Sequence, residues 1–133
     1  MSGPGSPVAL GSPVGSPTGA TSAVSGTGHR FVLGSAGLWV GTFIGRWTTT
    51  TAGGVRDFGV YCDRAGGTSY TEALSSPNPQ TVTGQPKGGA YSFSRYLPSG
   101  TAIIVYAYNG TGGTRTLEHD GGEWVALDLW RLG

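Results

Sequence analysis

Leu38-Trp39-Val40-Gly41-Thr42-Phe43-Ile44-Gly45-Arg46-Trp47 is the stretch on which the fold turns. Trp39, Gly41, Phe43, Gly45 and Trp47 alternate with Leu38, Val40, Thr42, Ile44 and Arg46 in a period of two. Only an extended strand sends successive side chains to opposite faces. Apolar groups stand on both faces, so this strand is expected to be covered twice, by a sandwich core on one side and a subunit interface on the other.

The same period recurs on either side of it. Ala52-Gly53-Gly54 is a turn signal that opens a strand over residues 55–63, with Phe58, Val60 and Cys62 on one side and Asp57, Gly59 and Tyr61 on the other. The Pro-rich residues 75–79 predict loops and at most short edge strands. Residues 90–97 predict an aromatic strand, and Pro98-Ser99-Gly100 turns the chain into a β-branched and aromatic strand over residues 101–109. Asn109-Gly110-Thr111-Gly112-Gly113 reads as a hairpin loop, before a short strand at 114–119, a turn at Asp120-Gly121-Gly122 and a last strand over 123–132. No segment has the apolar recurrence of an amphipathic helix. The expectation is one all-β domain over residues 29–133, an antiparallel β-sandwich of the jelly-roll kind with about eight strands.

Residues 1–28 are of another character. Gly5-Ser6-Pro7-Val8, Gly11-Ser12-Pro13-Val14 and Gly15-Ser16-Pro17-Thr18 are three copies of a Gly-Ser-Pro unit, without the strict glycine period of collagen. Proline fixes its own φ and biases its predecessor toward extended geometry. Two readings stand: a disordered linker, or an extended anchoring arm whose pegs Val8, Leu10, Val14 and Val24 become ordered against a neighbour. Stretched out, such an arm reaches roughly 90 Å.

Composition narrows the class of function. Charged residues make up 11% of the 133, where a soluble domain has about 25%, and glycine fills 26 positions. Surfaces so poor in charge suit a protein packed against copies of itself or another shell. A net charge of +1 from scattered Lys and Arg gives no basic face for nucleic acid. It gives no basic amphipathic helix for a membrane either, and no run approaches the ~20 apolar residues that span one. The N-terminus lacks the basic and apolar regions of a secretory signal, so synthesis in the cytoplasm is expected. The single cysteine, Cys62, excludes an intrachain disulfide and reads as a buried thiol.

Candidate chemistry is sparse. With two histidines, His29 and His119, and no Gly-x-Ser-x-Gly elbow, no nucleophile and base are paired by the sequence. Glu118, Asp120 and Glu123 straddle the Gly121-Gly122 turn and form a weak metal candidate, against the simpler reading of a solvated hairpin tip. No cofactor is implied. Asn109-Gly110-Thr111 matches the glycosylation sequon but is better explained as a turn. Trp39, Phe43, Trp47, Phe93, Tyr106, Trp124 and Trp130 are expected in the core or in a seam between subunits, and Tyr61, Tyr70, Tyr91 and Tyr108 are candidates for stacking on sugar rings, with core or seam packing as the default.

The landmarks also resemble a known family. Phe31, then Ala36-Gly37-Leu38-Trp39-Val40, Trp47 and Gly54-Val55-Arg56-Asp57-Phe58 resemble the opening of the complement-head and tumour-necrosis-factor type of jelly roll. Tyr96-Leu97-Pro98-Ser99-Gly100-Thr101 and the run from Trp124 to Leu132 are similar to its second half, although Thr101 stands where the family has an acidic residue and residues 69–89 match poorly. The resemblance implies a bell-shaped homotrimer with a buried aromatic centre and a binding surface on its outer loops. With a Gly- and Pro-rich arm, such chains look like virion proteins of tailed phages. The expected function is therefore a non-enzymatic, trimeric capsid decoration protein, fastened by its arm to the major capsid or tail protein of the virion. The alternative is a module of a tail or fibre that binds carbohydrate or a receptor on the host surface.

Overall fold

The computed structural model describes residues 6–7, 24–25, 30–47, 56–76, 87–109 and 126–133. Its strands are β1 (Ser6–Pro7), β2 (Val24–Ser25), β3 (Arg30–Leu33), β4 (Gly37–Trp47), β5 (Arg56–Asp63), β6 (Glu72–Ala73), β7 (Lys87–Leu97), β8 (Ala102–Asn109) and β9 (Ala126–Arg131), and no helix occurs among the described residues. They form two antiparallel sheets of a β-sandwich: β2-β3-β8-β5-β6, with β1 beside β8, and β7-β4-β9. The strands expected at 55–63, 90–97, 101–109 and 123–132 are present within a few residues. The short strand at 114–119 lies outside the described residues.

The chain changes sheet through short connections between β3 and β4 and between β7 and β8. Between β7 and β8, Gly100 takes φ +85°, the left-handed value a type II turn demands at its third residue. The turn closes from Thr101 N to Pro98 O at 3.3 Å, and the Thr101 hydroxyl donates to the same carbonyl at 2.7 Å. Thr101 is fully buried, and that local bond satisfies a hydroxyl that the core would otherwise strand.

The core alternation seen in the sequence becomes a packing rule. Leu33, Trp39, Phe43, Phe58, Val60, Cys62, Leu74, Tyr91, Phe93, Leu97, Ile103 and Val105 make one cluster between the sheets. Phe43 and Phe58 meet edge-on at 5.2 Å, and Phe58 meets Tyr91 edge-on at 5.9 Å, so rings from both sheets interlock. Room for those rings comes from glycine. A methyl group on Gly41 would stand 2.2 Å from the Phe93 ring, and one on Gly45 would stand 2.7 Å from both Phe43 and Phe58.

One polar bridge crosses this core. The Tyr91 hydroxyl donates to Asp57 Oδ1 at 2.7 Å, and the same oxygen accepts the Phe58 amide at 2.8 Å. Burial first, then the adjacent carboxylate, pushes the Tyr91 phenol well above its usual range, which keeps it a hydrogen-bond donor. Asp57 is buried here, whereas strand alternation alone placed it opposite Phe58.

The segment before His29 also touches the sandwich. Ser25 and Val24 pair with Val32 and Leu33, and Ser6 and Pro7 pair with Ala107 and Tyr106. Val24, expected as a peg against a neighbour, is thus in register with the chain's own sheet. Val8, Leu10 and Val14 lie outside the described residues.

Candidate functional site

Because Ile103, Val105 and Ala107 turn toward the core, the other parity of β8 faces outward. Register then brings Ile104 opposite Tyr61, Tyr106 opposite Gly59 and Tyr108 opposite Asp57. The Tyr61 ring leans over the bare backbone of Gly59, where an added methyl would lie 2.5 Å from Cε2. Tyr106 stands edge-on to it at 5.8 Å and 77°, and edge-on to Tyr70 at 6.2 Å and 70°. The result is a corner of rings: Tyr61 folded down on the sheet and Tyr106 upright beside it, backed by Tyr70. Burial and the neighbouring Tyr70 raise the Tyr106 phenol above its usual range, so its hydroxyl remains a donor at neutral pH.

A loop holds this corner in place. Asp63 organises it, Oδ1 accepting the Ala65 amide at 2.9 Å and Oδ2 the Ser69 amide at 3.0 Å, while Gly66 takes φ +76° close to the Gly100 carbonyl. From β3, the Arg30 guanidinium donates to the Gly66 and Gly67 carbonyls and, at 2.6 Å, to the Tyr70 hydroxyl. Tyr70 is pressed onto Ala102 and Ile104. The bonds from Arg30 tie the loop to β3, which makes Arg30 a structural clasp.

The candidate sugar-facing tyrosines therefore divide. Tyr61 and Tyr108 lie on the outer face, half-buried, while Tyr91 is a core residue and Tyr70 is only 8% exposed. The correction for those two has a physical cause: Tyr91 shares its strand parity with Phe93, and Tyr70 is covered through the loop that Arg30 clasps. Among the seam candidates, Trp39, Phe43 and Phe93 are buried in the chain's own core, Trp130 packs partly against it, and Tyr106 joins the outer corner. Trp47 ends β4 opposite Lys87, and Trp124, Glu118, His119, Asp120 and Glu123 lie outside the described residues. Sequence reasoning missed Gly59 and Arg30. The shared parity of Tyr106 and Tyr108 in β8 was the available sign that both belong to one face.

No family model and no curated protein matches this chain.

A second outward face belongs to the three-stranded sheet. Leu38, Val40, Thr42 and Ile44 of β4 stand in register with Tyr96, Ser94, Ser92 and Ala90 of β7, and with Trp130, Asp128 and Ala126 of β9 opposite Val40, Thr42 and Ile44. Ile44 is 39% exposed, Tyr96 70% and the adjoining Leu132 63%. Between Leu38 and Ile44 this face carries one charge, Asp128, and no described element covers it.

On one side the sandwich is closed by ions. Glu72 accepts from Arg64 at 2.6 and 3.0 Å and from Arg95 of the opposite sheet at 3.0 Å. The hydrogen bonds from Arg64 hold its carboxyl below the usual glutamate range, and burial together with Glu72 pushes the nearby Cys62 thiol up to about 11. A carboxyl with a depressed pKa stabilises the fold above its unfolded pKa, and that contribution is lost as the pH falls through the lower folded value. Partial exposure limits it to ~1 kcal/mol or less. Thermal unfolding of Glu72→Gln is therefore expected at a lower midpoint than the parent at pH 7, with the gap closing below pH 4, about the usual glutamate pKa. An undiminished gap in acid would rule out the ionic contribution.

Proposed function

We propose that this protein is a non-enzymatic component of an assembled shell, of the kind found in the virions of tailed phages. Copies associate through the outer face of the β7-β4-β9 sheet, and the N-terminal segment serves attachment. The observation that carries the reading is that between Leu38 and Ile44 the face holds a single charge, Asp128, together with the exposed Ile44, Tyr96 and Leu132. Apolar area of this kind gains about 25 cal/mol per Å² when a second surface covers it, and natural edges and faces that stay in solution are normally charged. A trimer, with a capsid decoration role, is the specific form proposed.

Sedimentation of the full chain tests it. Val40→Arg with Ile44→Asp is expected to convert an associating species into a monomer with an unchanged far-ultraviolet spectrum. A parent that is monomeric at every concentration removes the proposal.

A second reading rests on the tyrosine corner. Tyr61 and Tyr106 offer one flat and one upright ring with hydroxyl donors, an arrangement suited to a sugar ring that stacks on one and hydrogen-bonds the other. Binding to host-surface polysaccharide, lost in Tyr61→Ala, supports this reading, and retention by that variant excludes it.

A further inference from the structure

We infer that the edge of β8 is a docking slot for Gly-Ser-Pro units, and that in the assembled state it is filled by a unit from the N-terminal segment of a second copy. The setting is the shell proposed above; the slot itself is read from strand pairing.

On β8 the partner strand β3 stops with Arg30 opposite Ile104. Farther along the same strand, Ser6 and Pro7 sit opposite Ala107 and Tyr106. A Ser-Pro dipeptide suits this place. Proline lacks an amide donor and is tolerated at a sheet edge, and it biases the serine before it toward extended geometry. So short a strand makes few bonds, and its occupancy depends on how concentrated the unit is near the slot.

Two quantities then permit exchange. The unit is present three times, beginning at Gly5, Gly11 and Gly15, while each chain has one such edge on β8. Reach is also in excess: residues 8–23 join Pro7 to Val24, which is anchored opposite Leu33. Leu33 bonds to Thr101, just before β8 and five residues from Tyr106, a separation of roughly 17 Å at strand spacing. Sixteen extended residues span up to about 55 Å. The contacts made in exchange are identical to those made within the chain, so the choice is set by concentration. A tether of this length sets an effective concentration of about the millimolar range, which neighbours in a shell match.

The test uses two full-length preparations distinguished by size tags. One carries Ser12→Cys in the second Gly-Ser-Pro unit and the other Ala107→Cys in β8, mixed at about 1 mM and mildly oxidised, with buried Cys62 common to both. The expected result is a crosslink between the two tagged chains, severalfold stronger than between Ser12→Cys and a Ser92→Cys chain. Gly11→Cys with Tyr108→Cys preserves the same register and covers the case in which Ala107→Cys does not fold. Exchange is overturned if neither pair crosslinks above the Ser92 control, or if chains carrying both cysteines close only on themselves. Ser92→Cys homodimers report separately on the sheet face, so loss of one result leaves the other standing.

Discussion

Phe43→Ala is expected to destabilise the fold by about 3–5 kcal/mol, the usual cost of deleting a buried aromatic ring. Phe43 is fully buried and touches rings from both layers, Phe58 at 5.2 Å and Tyr91 at 6.3 Å. Its removal leaves a space between two sheets whose backbones are pinned by their own ladders, so collapse cannot fill it. Against a total stability of roughly 5–15 kcal/mol, that is a large share. Ile44→Ala, one residue along the same strand, removes a side chain that is 39% exposed and is expected to cost under about 1 kcal/mol in the isolated chain. Urea unfolding of both variants reads the difference. Equal losses would mean that β4 does not divide core from exterior by parity.

The second large effect comes from adding one carbon. Gly41→Ala places a methyl group 2.2 Å from Phe93 Cε1 and 3.0 Å from Leu129, and Gly45→Ala places one 2.7 Å from Phe43 and Phe58. Buried rings cannot swing away as an exposed lysine would. Overpacking of this kind costs about 1–3 kcal/mol, although alanine is ordinarily at least as favourable as glycine in a strand. Pairing Gly41→Ala with Phe93→Leu is expected to recover part of the loss. Independent, additive losses in the double variant would show that ring and glycine are not coupled.

These two predictions show how far a one-dimensional pattern reaches. Trp39, Gly41, Phe43 and Gly45 were legible as one face, and Phe58, Val60 and Cys62 as another, because side-chain alternation is a local property of extended backbone. Their glycines were not legible as sockets. Phe93 lies over Gly41 only because β4 and β7, about fifty residues apart, align Gly41 with Phe93 and Leu38 with Tyr96. Tyr91 takes its default place in the core and not the sugar-facing alternative, but its anchor was not legible for the same reason: its hydroxyl finds Asp57 across the sandwich, a partner no spacing rule reveals.

By itself the sequence determined that this chain is all-β, where most of its strands run and how side chains alternate along the first two long ones. Those follow from the two-residue period of the backbone and from turn residues read in place. Tertiary structure alone decided that β4 lies between β7 and β9, that Tyr61 and Tyr106 share a corner, that Ser6–Pro7 settles on β8 and that glycine makes room for Phe43, Phe58 and Phe93. Sheet neighbours and cross-sheet contacts join residues far apart in the chain, and their register is set by how the two layers pack together.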